Sequence, residues 1–223
     1  MTPDDVMAQL EKSGSAQTRK TYGRHGINSA MFGVSYATLG KLTKAIKIDQ
    51  TLAEKLWATA NHDARILATM IADAGVASRK QIDAWALAAD NYVLSDAVAR
   101  MVAKTPHARA TAEAWTKSAS EYLGQAGWTV FAVLAANDDS IADDYFLVLL
   151  ARIEKTIAKA KNRVRHAMNS ALIAIGGRSA KLRTPAIAAA QRIGVVEVDH
   201  GDTSCETPDA AGYIAKIWAR KKA

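Results

Sequence analysis

Hydrophobic residues recur at helical spacing through most of the chain. The pattern is clearest in residues 162–175, whose apolar face comprises Val164, Met168, Ala171, Leu172 and Ile175. The opposite face is rich in hydrogen-bond donors and comprises Asn162, Arg163, His166, Asn169 and Ser170. Such a face can contact a phosphate backbone or simply lie in solvent, and the pattern leaves both open.

Residues that favour helix starts divide the chain into helix pairs. Candidate N-caps are Asp49, Ser78, Ser140 and Ser179, and another start lies near His107. These starts recur every 29 to 39 residues, and each interval contains two amphipathic runs separated by a short break. The spacing predicts an all-α fold, an α-solenoid of antiparallel helix pairs, which forms a single domain over residues 1–223.

The C-terminal segment departs from the helical pattern. Residues 195–205 predict a short extended stretch followed by a turn, and a final helix starts near Pro208 and packs on the rest of the domain. Asp199, His200 and Cys205 are of metal-ligand types, but one His and one Cys without a second pair make a poor zinc site. We therefore expect a structural turn, no metal site and no cofactor.

Composition supports the helical prediction and bears on location. The 223 residues include 13 Gly and 4 Pro, which are fewer than a chain rich in turns and strands normally contains. The single cysteine, Cys205, cannot form an internal disulfide. The N-terminus does not resemble a secretion signal, and no uncharged run approaches the roughly 18 residues that span a bilayer. We expect a cytoplasmic monomer outside the membrane.

Positive charge is concentrated near the C-terminus. The net charge is +7, and residues 152–192 contain ten Lys or Arg against one acid, Glu154. This asymmetry favours a polyanionic partner such as nucleic acid, although a basic solvated surface would give the same pattern.

Several segments resemble the AlkD-like DNA alkylation repair family. The members of this family are HEAT-like repeat proteins and include DNA glycosylases for alkylated purines. The resemblance is carried by Phe32-Gly33-Val34, Leu56-Trp57, Asn61-His62-Asp63-Ala64-Arg65, Asn91-Tyr92-Val93-Leu94-Ser95-Asp96, the run from Val164 to Asn169 and the run from Val198 to Cys205. It implies a HEAT-like solenoid that binds duplex DNA in a basic concave groove.

The resemblance assigns the catalytic positions to Tyr92 and Asp96. On a helix they lie one turn apart on one face, so that a ring and a carboxylate point the same way. An aromatic face attracts a cationic alkylated purine, and a carboxylate stabilises the cationic sugar left by its loss or orients a water. Alternatively, Asp96 forms an ordinary helix pair with Arg100 and Tyr92 is a packing residue.

The site departs from the family pattern at two positions. Glycosylase members use an arginine on the following repeat and another tryptophan beyond it, whereas this chain has no arginine between Arg109 and Arg152 and no tryptophan between Trp128 and Trp218. The family directs the Trp128 position toward DNA, while Trp57, Trp85 and Trp115 are predicted core residues.

Three functions remain open from the sequence. The first is a DNA glycosylase that uses Asp96 and Tyr92, the second a noncatalytic nucleic-acid-binding protein, and the third a protein-interaction scaffold. In the first two, the predicted DNA contacts are Trp128, Lys159, Lys161, Arg163, Arg165, His166 and Asn169.

Overall fold

The computed structural model describes residues 1–221, and all regular structure in that range is helical. The all-α prediction is confirmed; the last two residues of the predicted domain, 222–223, lie outside the described residues. The helices are α1 (Pro3–Ser13), α2 (Ala16–Arg24), α3 (Tyr36–Ile46), α4 (Gln50–Ala58), α5 (His62–Ile71), α6 (Arg79–Leu87), α7 (Tyr92–Val102), α8 (Ala108–Trp115), α9 (Glu121–Asn137), α10 (Asp143–Thr156), a 3-10 helix (Ile157–Lys159), α11 (Asn162–Arg178), α12 (Ala180–Ile193) and α13 (Ala210–Lys221).

Polar N-caps fix most of the predicted helix starts. Asp49, Ser78 and Ser179 each accept a hydrogen bond from a backbone amide in the first turn, and α8 begins directly after His107. The predicted start at Ser140 is wrong. Its hydroxyl and amide both donate to the carboxylate of Asp138, so that Ser140 belongs to a turn and α10 begins at Asp143.

The chain forms two compact units. The first comprises Met1–Pro106 with His200–Ser204, and the second comprises His107–Asp199 with the chain from Cys205 onward. In the first unit, α4 packs on α5 and α6 on α7, while α5 also contacts α3 and α7. Contacts between helices of successive pairs are expected when helix pairs stack. Trp57 and Trp85 lie in this core as predicted, with their rings stacked 4.4 Å apart.

The second unit is centred on α11. This helix packs against α9 and α12, and α13 packs on both α11 and α12. Gly176 allows α13 to pack closely on α11, because a Cβ at Gly176 would lie 2.5 Å from Ile214 of α13. Residues 194–209 carry no helix and α13 begins at Ala210, so that the predicted irregular segment and final helix are confirmed. Trp115 is buried, also as predicted.

None of the helices within residues 1–221 combines the length and hydropathy needed to cross a bilayer. Over the same residues, no group of three or more His, Cys, Asp or Glu side chains is arranged to hold a metal ion.

Candidate functional site

A cavity of about 420 Å³ lies in the first unit, along helices α3, α5 and α7. Tyr92 and Asp96 both line it, which places the two sequence-predicted catalytic residues at one cavity. Its wall also includes Tyr36, Ile66, Thr69, Met70, Val93, Ala97, Arg100, Met101 and Lys104. The cavity therefore combines aromatic rings, one carboxylate and two cations within a mostly apolar wall.

The start of α7 positions Tyr92 and Asp96. Asn91 caps the helix by accepting a hydrogen bond from the amide of Leu94 at 2.9 Å, and the next turn carries Asp96. Tyr92 and Asp96 are both half-buried. The Tyr92 hydroxyl lies 2.6 Å from Nδ1 of His25, a residue 67 positions earlier that no sequence pattern connected to the site.

Tyr36 is a further aromatic residue that the sequence did not assign to the site. It is the first residue of α3 and lines the cavity with Tyr92 and Asp96. Desolvation, with smaller contributions from Tyr22 and the negative charge of Asp96, raises the pKa of Tyr36 well above its ordinary value. Tyr36 is neutral at physiological pH, as a tyrosine with its ordinary pKa also is, so its hydroxyl can donate a hydrogen bond.

Asp63 fixes the loop that leads into α3. Its buried carboxylate accepts hydrogen bonds from the amides of Phe32, Gly33 and Val34 at 2.7 to 2.9 Å. Gly33 adopts φ +79°, and a Cβ there would lie 2.7 Å from the carbonyl oxygen of Ser15. The Phe32-Gly33-Val34 segment thus sets where α3, and with it Tyr36, begins.

Trp128, one of the predicted DNA contacts, is almost fully buried. It is 2% exposed and packs against Phe131 of the same helix, α9. The guanidinium of Arg152 lies over its ring at 5.1 Å. The bulky ring thus packs in the core of the second unit and supports an arginine, while a direct contact of Trp128 with DNA stays a prediction.

Asn169 and Arg165 contact the chain's own C-terminal segment. Asn169 is fully buried, and its amide donates to the carbonyl of Pro208 at 3.0 Å; its role as a DNA contact stays a prediction. Arg165 donates to the carbonyls of Glu197 and Ala160. The bonds to Glu197 and Pro208 hold these two residues against α11, and no periodicity in the sequence indicated them.

The remaining predicted basic contacts lie where α11 begins. Lys159 ends the 3-10 helix and Lys161 is the N-cap residue of α11, and both side chains are exposed. Arg163 and His166 follow within the first turns of α11 and are half-buried. Lys159, Lys161 and Trp128 line one cavity, which also includes Arg152.

Comparison with known proteins identifies related chains over the full length. Residues 6–213 match the family described as DNA alkylation repair enzyme. An uncharacterized protein of Listeria monocytogenes is 27% identical over 228 residues, which cover 100% of both chains. An uncharacterized protein of Listeria innocua is 28% identical over 222 residues, which cover 97% of both.

A solved structure shows the same fold. It is described as a new family of proteins related to the HEAT-like repeat DNA glycosylases with affinity for branched DNA structures. It is 31% identical to this chain, has a TM-score of 0.91, and the match covers 99% of this chain and 95% of that one. The predicted HEAT-like fold is confirmed.

Proposed function

The chain belongs to the DNA alkylation repair enzyme family, and from this premise we propose that it is a DNA-binding protein whose preferred ligand is branched DNA. Branched DNA consists of duplex arms that meet at a junction, so the proposal retains the duplex contacts expected from the sequence. The affinity ascribed to the solved relative supports branched DNA as the ligand to test first.

The charge distribution of the second unit carries the proposal. Glu154 is the one acid among residues 152–192, and the guanidinium of Arg192 binds it with two hydrogen bonds. The neighbouring Lys155, Lys159 and Lys161 are exposed. A surface with several exposed cations and a neutralised carboxylate attracts phosphate and releases counterions when DNA binds.

A comparison of DNA forms tests this function. A labelled four-way junction and a linear duplex of the same arm sequences are titrated with the protein at several salt concentrations. We expect tighter binding to the junction, and an affinity for both that falls steeply as salt rises. Equal affinity for both forms would remove the preference for branches, and no binding to either at low salt would overturn the function.

A second candidate function is excision of cationic alkylated purines. It is favoured by the cavity of the first unit, where Tyr36, Tyr92 and Asp96 meet. The aromatic rings can attract a cationic base, and the carboxylate can stabilise the sugar cation that forms as the base leaves. The family's arginine and second tryptophan are missing from their expected sequence regions, and for this reason excision ranks below binding.

Excision is tested with DNA that carries N3- or N7-methylated purines. If the protein is a glycosylase, it releases the methylated base, and Asp96→Asn abolishes release while the protein stays folded. The control is Asp83→Asn, a carboxylate on α6 that pairs with Arg79 and does not line the cavity. Absence of release by the unaltered protein with both lesion types would exclude this candidate.

A further inference from the structure

A second cavity, of about 300 Å³, lies in the second unit where α10 ends and α9 and α11 begin. Three cations, Arg152, Lys159 and Lys161, line it. Four hydroxyl-bearing residues also line it: Thr116, Ser118, Ser120 and Thr156. No aspartate or glutamate is among its described lining residues. Because the Thr116 and Thr156 hydroxyls donate to backbone carbonyls, the wall offers an anion the three cations and the two serine hydroxyls.

The start of α9 adds to the positive potential. Ser120 is the N-cap of this 17-residue helix and lines the cavity, and its side chain makes no capping hydrogen bond. The amide end of a helix carries partial positive charge and favours an anion. The adjacent Glu121 does not line the cavity; its carboxylate accepts a hydrogen bond from the amide of Arg163 at 2.7 Å.

Arg152 is held in position before any ligand binds. Its guanidinium donates to the hydroxyl and carbonyl oxygens of Thr116 at 2.9 and 3.1 Å and lies over the ring of Trp128. Glu113 lies 3.7 Å from another guanidinium nitrogen, outside the cavity wall, and offsets part of this charge. The buried Trp128 thus serves as a platform for Arg152, and a preorganised cation loses little conformational entropy on binding.

The two lysines supply mobile charge. The ammonium group of Lys161 donates to the carbonyl of Ala119 at 2.7 Å and keeps two further donors. Lys159 is exposed, and across the described part of the chain it enters no ion pair. Both lysines can therefore turn toward a phosphate without breaking a salt bridge.

We propose that this cavity, here called the α9–α11 cavity, binds a phosphate group and that a backbone phosphate of bound DNA occupies it. The DNA part of this inference rests on the proposed function. The same chemistry would accept inorganic phosphate or a phosphomonoester, so the experiment has to separate these sources.

The test uses two full-length variants that remove the same charge. Lys159→Gln/Lys161→Gln alters the α9–α11 cavity, whereas Lys80→Gln/Lys216→Gln removes two exposed lysines that lie outside both the cavity and the basic stretch of residues 152–192. Binding of a labelled four-way junction is measured against salt. We expect the cavity variant to bind about ten-fold more weakly, with a salt slope smaller by about one, and the control within about two-fold of the unaltered protein.

A parallel titration with inorganic phosphate measures phosphate binding at the α9–α11 cavity directly. Backbone amide NMR signals of residues 118–122 should shift in the unaltered protein and in the control variant, and stay unchanged in the cavity variant. Lys161 is the N-cap residue of α11, so its substitution could affect folding. Thermal unfolding checks that the cavity variant and the control variant are as fully folded as the unaltered protein.

The outcomes separate the inference from the proposed function. If the unaltered protein binds the junction and both variants weaken equally, the cavity inference is overturned and DNA binding stands. If phosphate shifts the amides but no DNA binds, the function fails and the DNA part of the inference fails with it, leaving a phosphomonoester site. If phosphate shifts none of these amides, the cavity is not a phosphate site.

Discussion

The hydroxyl of Tyr92 lies 2.6 Å from Nδ1 of His25, which joins the start of α7 to the residue that directly follows α2. Their rings are also in contact, with centroids 6.1 Å apart. This bond sets the direction of the Tyr92 ring at the cavity that also contains Asp96. The aromatic residue of the candidate site is thus positioned by a distant histidine as well as by its own helix.

Tyr92→Phe is expected to lower the free energy of unfolding by about 1 kcal/mol, because a half-buried hydrogen bond is lost while the ring remains. Tyr213→Phe removes a hydroxyl from an exposed tyrosine and should change stability by less than about 0.5 kcal/mol. Urea unfolding measures both. After His25→Ala, Tyr92→Phe should cost less than it does in the unaltered protein, and full additivity of the two substitutions would contradict a direct bond.

Asp63→Asn is expected to destabilise the protein by about 3 kcal/mol. The buried carboxylate accepts three backbone hydrogen bonds, and an amide cannot replace a charged acceptor for all three. Asp49→Asn is the matched control: Asp49 caps α4, and asparagine caps helices equally well, so the change should be within about 0.5 kcal/mol. Chemical denaturation measures the free energy of unfolding of both variants. Equal losses for Asp63→Asn and Asp49→Asn would argue against a special role for the three hydrogen bonds to Asp63.

The helix starts could be predicted because they depend on local chemistry. A short polar side chain before an apolar run satisfies first-turn amides wherever the run packs, which is why Asp49, Ser78 and Ser179 were identified correctly. The prediction for Ser140 was wrong for an equally local reason. The Ser140 hydroxyl donates to the carboxylate of Asp138 in a turn, and a serine in a turn looks the same in sequence as a serine that caps a helix.

The candidate sites depend on contacts between distant segments, and these were harder to predict. Tyr92 and Asp96 could be paired because they are one helical turn apart, whereas His25 and Tyr36 reach the same region through tertiary packing. Asn169 has the helical phase of a polar face but is buried, because the C-terminal segment covers it. The position of a residue around its own helix does not show which other segment of the chain packs over that residue.

Tyr22 should make stability depend on pH in the alkaline range. Burial, followed by the charge of Asp63, raises the pKa of Tyr22 from 10.0 to about 12, and its hydroxyl donates to the carbonyl of Val34 at 2.7 Å. The folded state therefore holds this proton more tightly than the unfolded state does. Its contribution to stability is complete below pH 10 and is lost as the pH rises through about 12.

The measurement compares Tyr22→Phe with the unaltered protein between pH 8 and 12. The unaltered protein should be more stable at pH 8, and the difference should shrink across the upper part of the range because the variant has no proton to lose there. A difference that stays constant to pH 12 would show that Tyr22 ionises equally easily in both states.

Asn169→Ala should separate stability from DNA binding. The asparagine is fully buried and bonds the carbonyl of Pro208, so its loss should cost about 2 kcal/mol of unfolding free energy. Junction affinity should stay within about two-fold at a temperature where the variant is folded, because the side chain does not reach the surface. Asn137→Ala, an exposed asparagine at the end of α9, should change neither quantity. A large loss of affinity with unchanged stability would instead support Asn169 as a DNA contact, which would require the C-terminal segment to move aside when DNA binds.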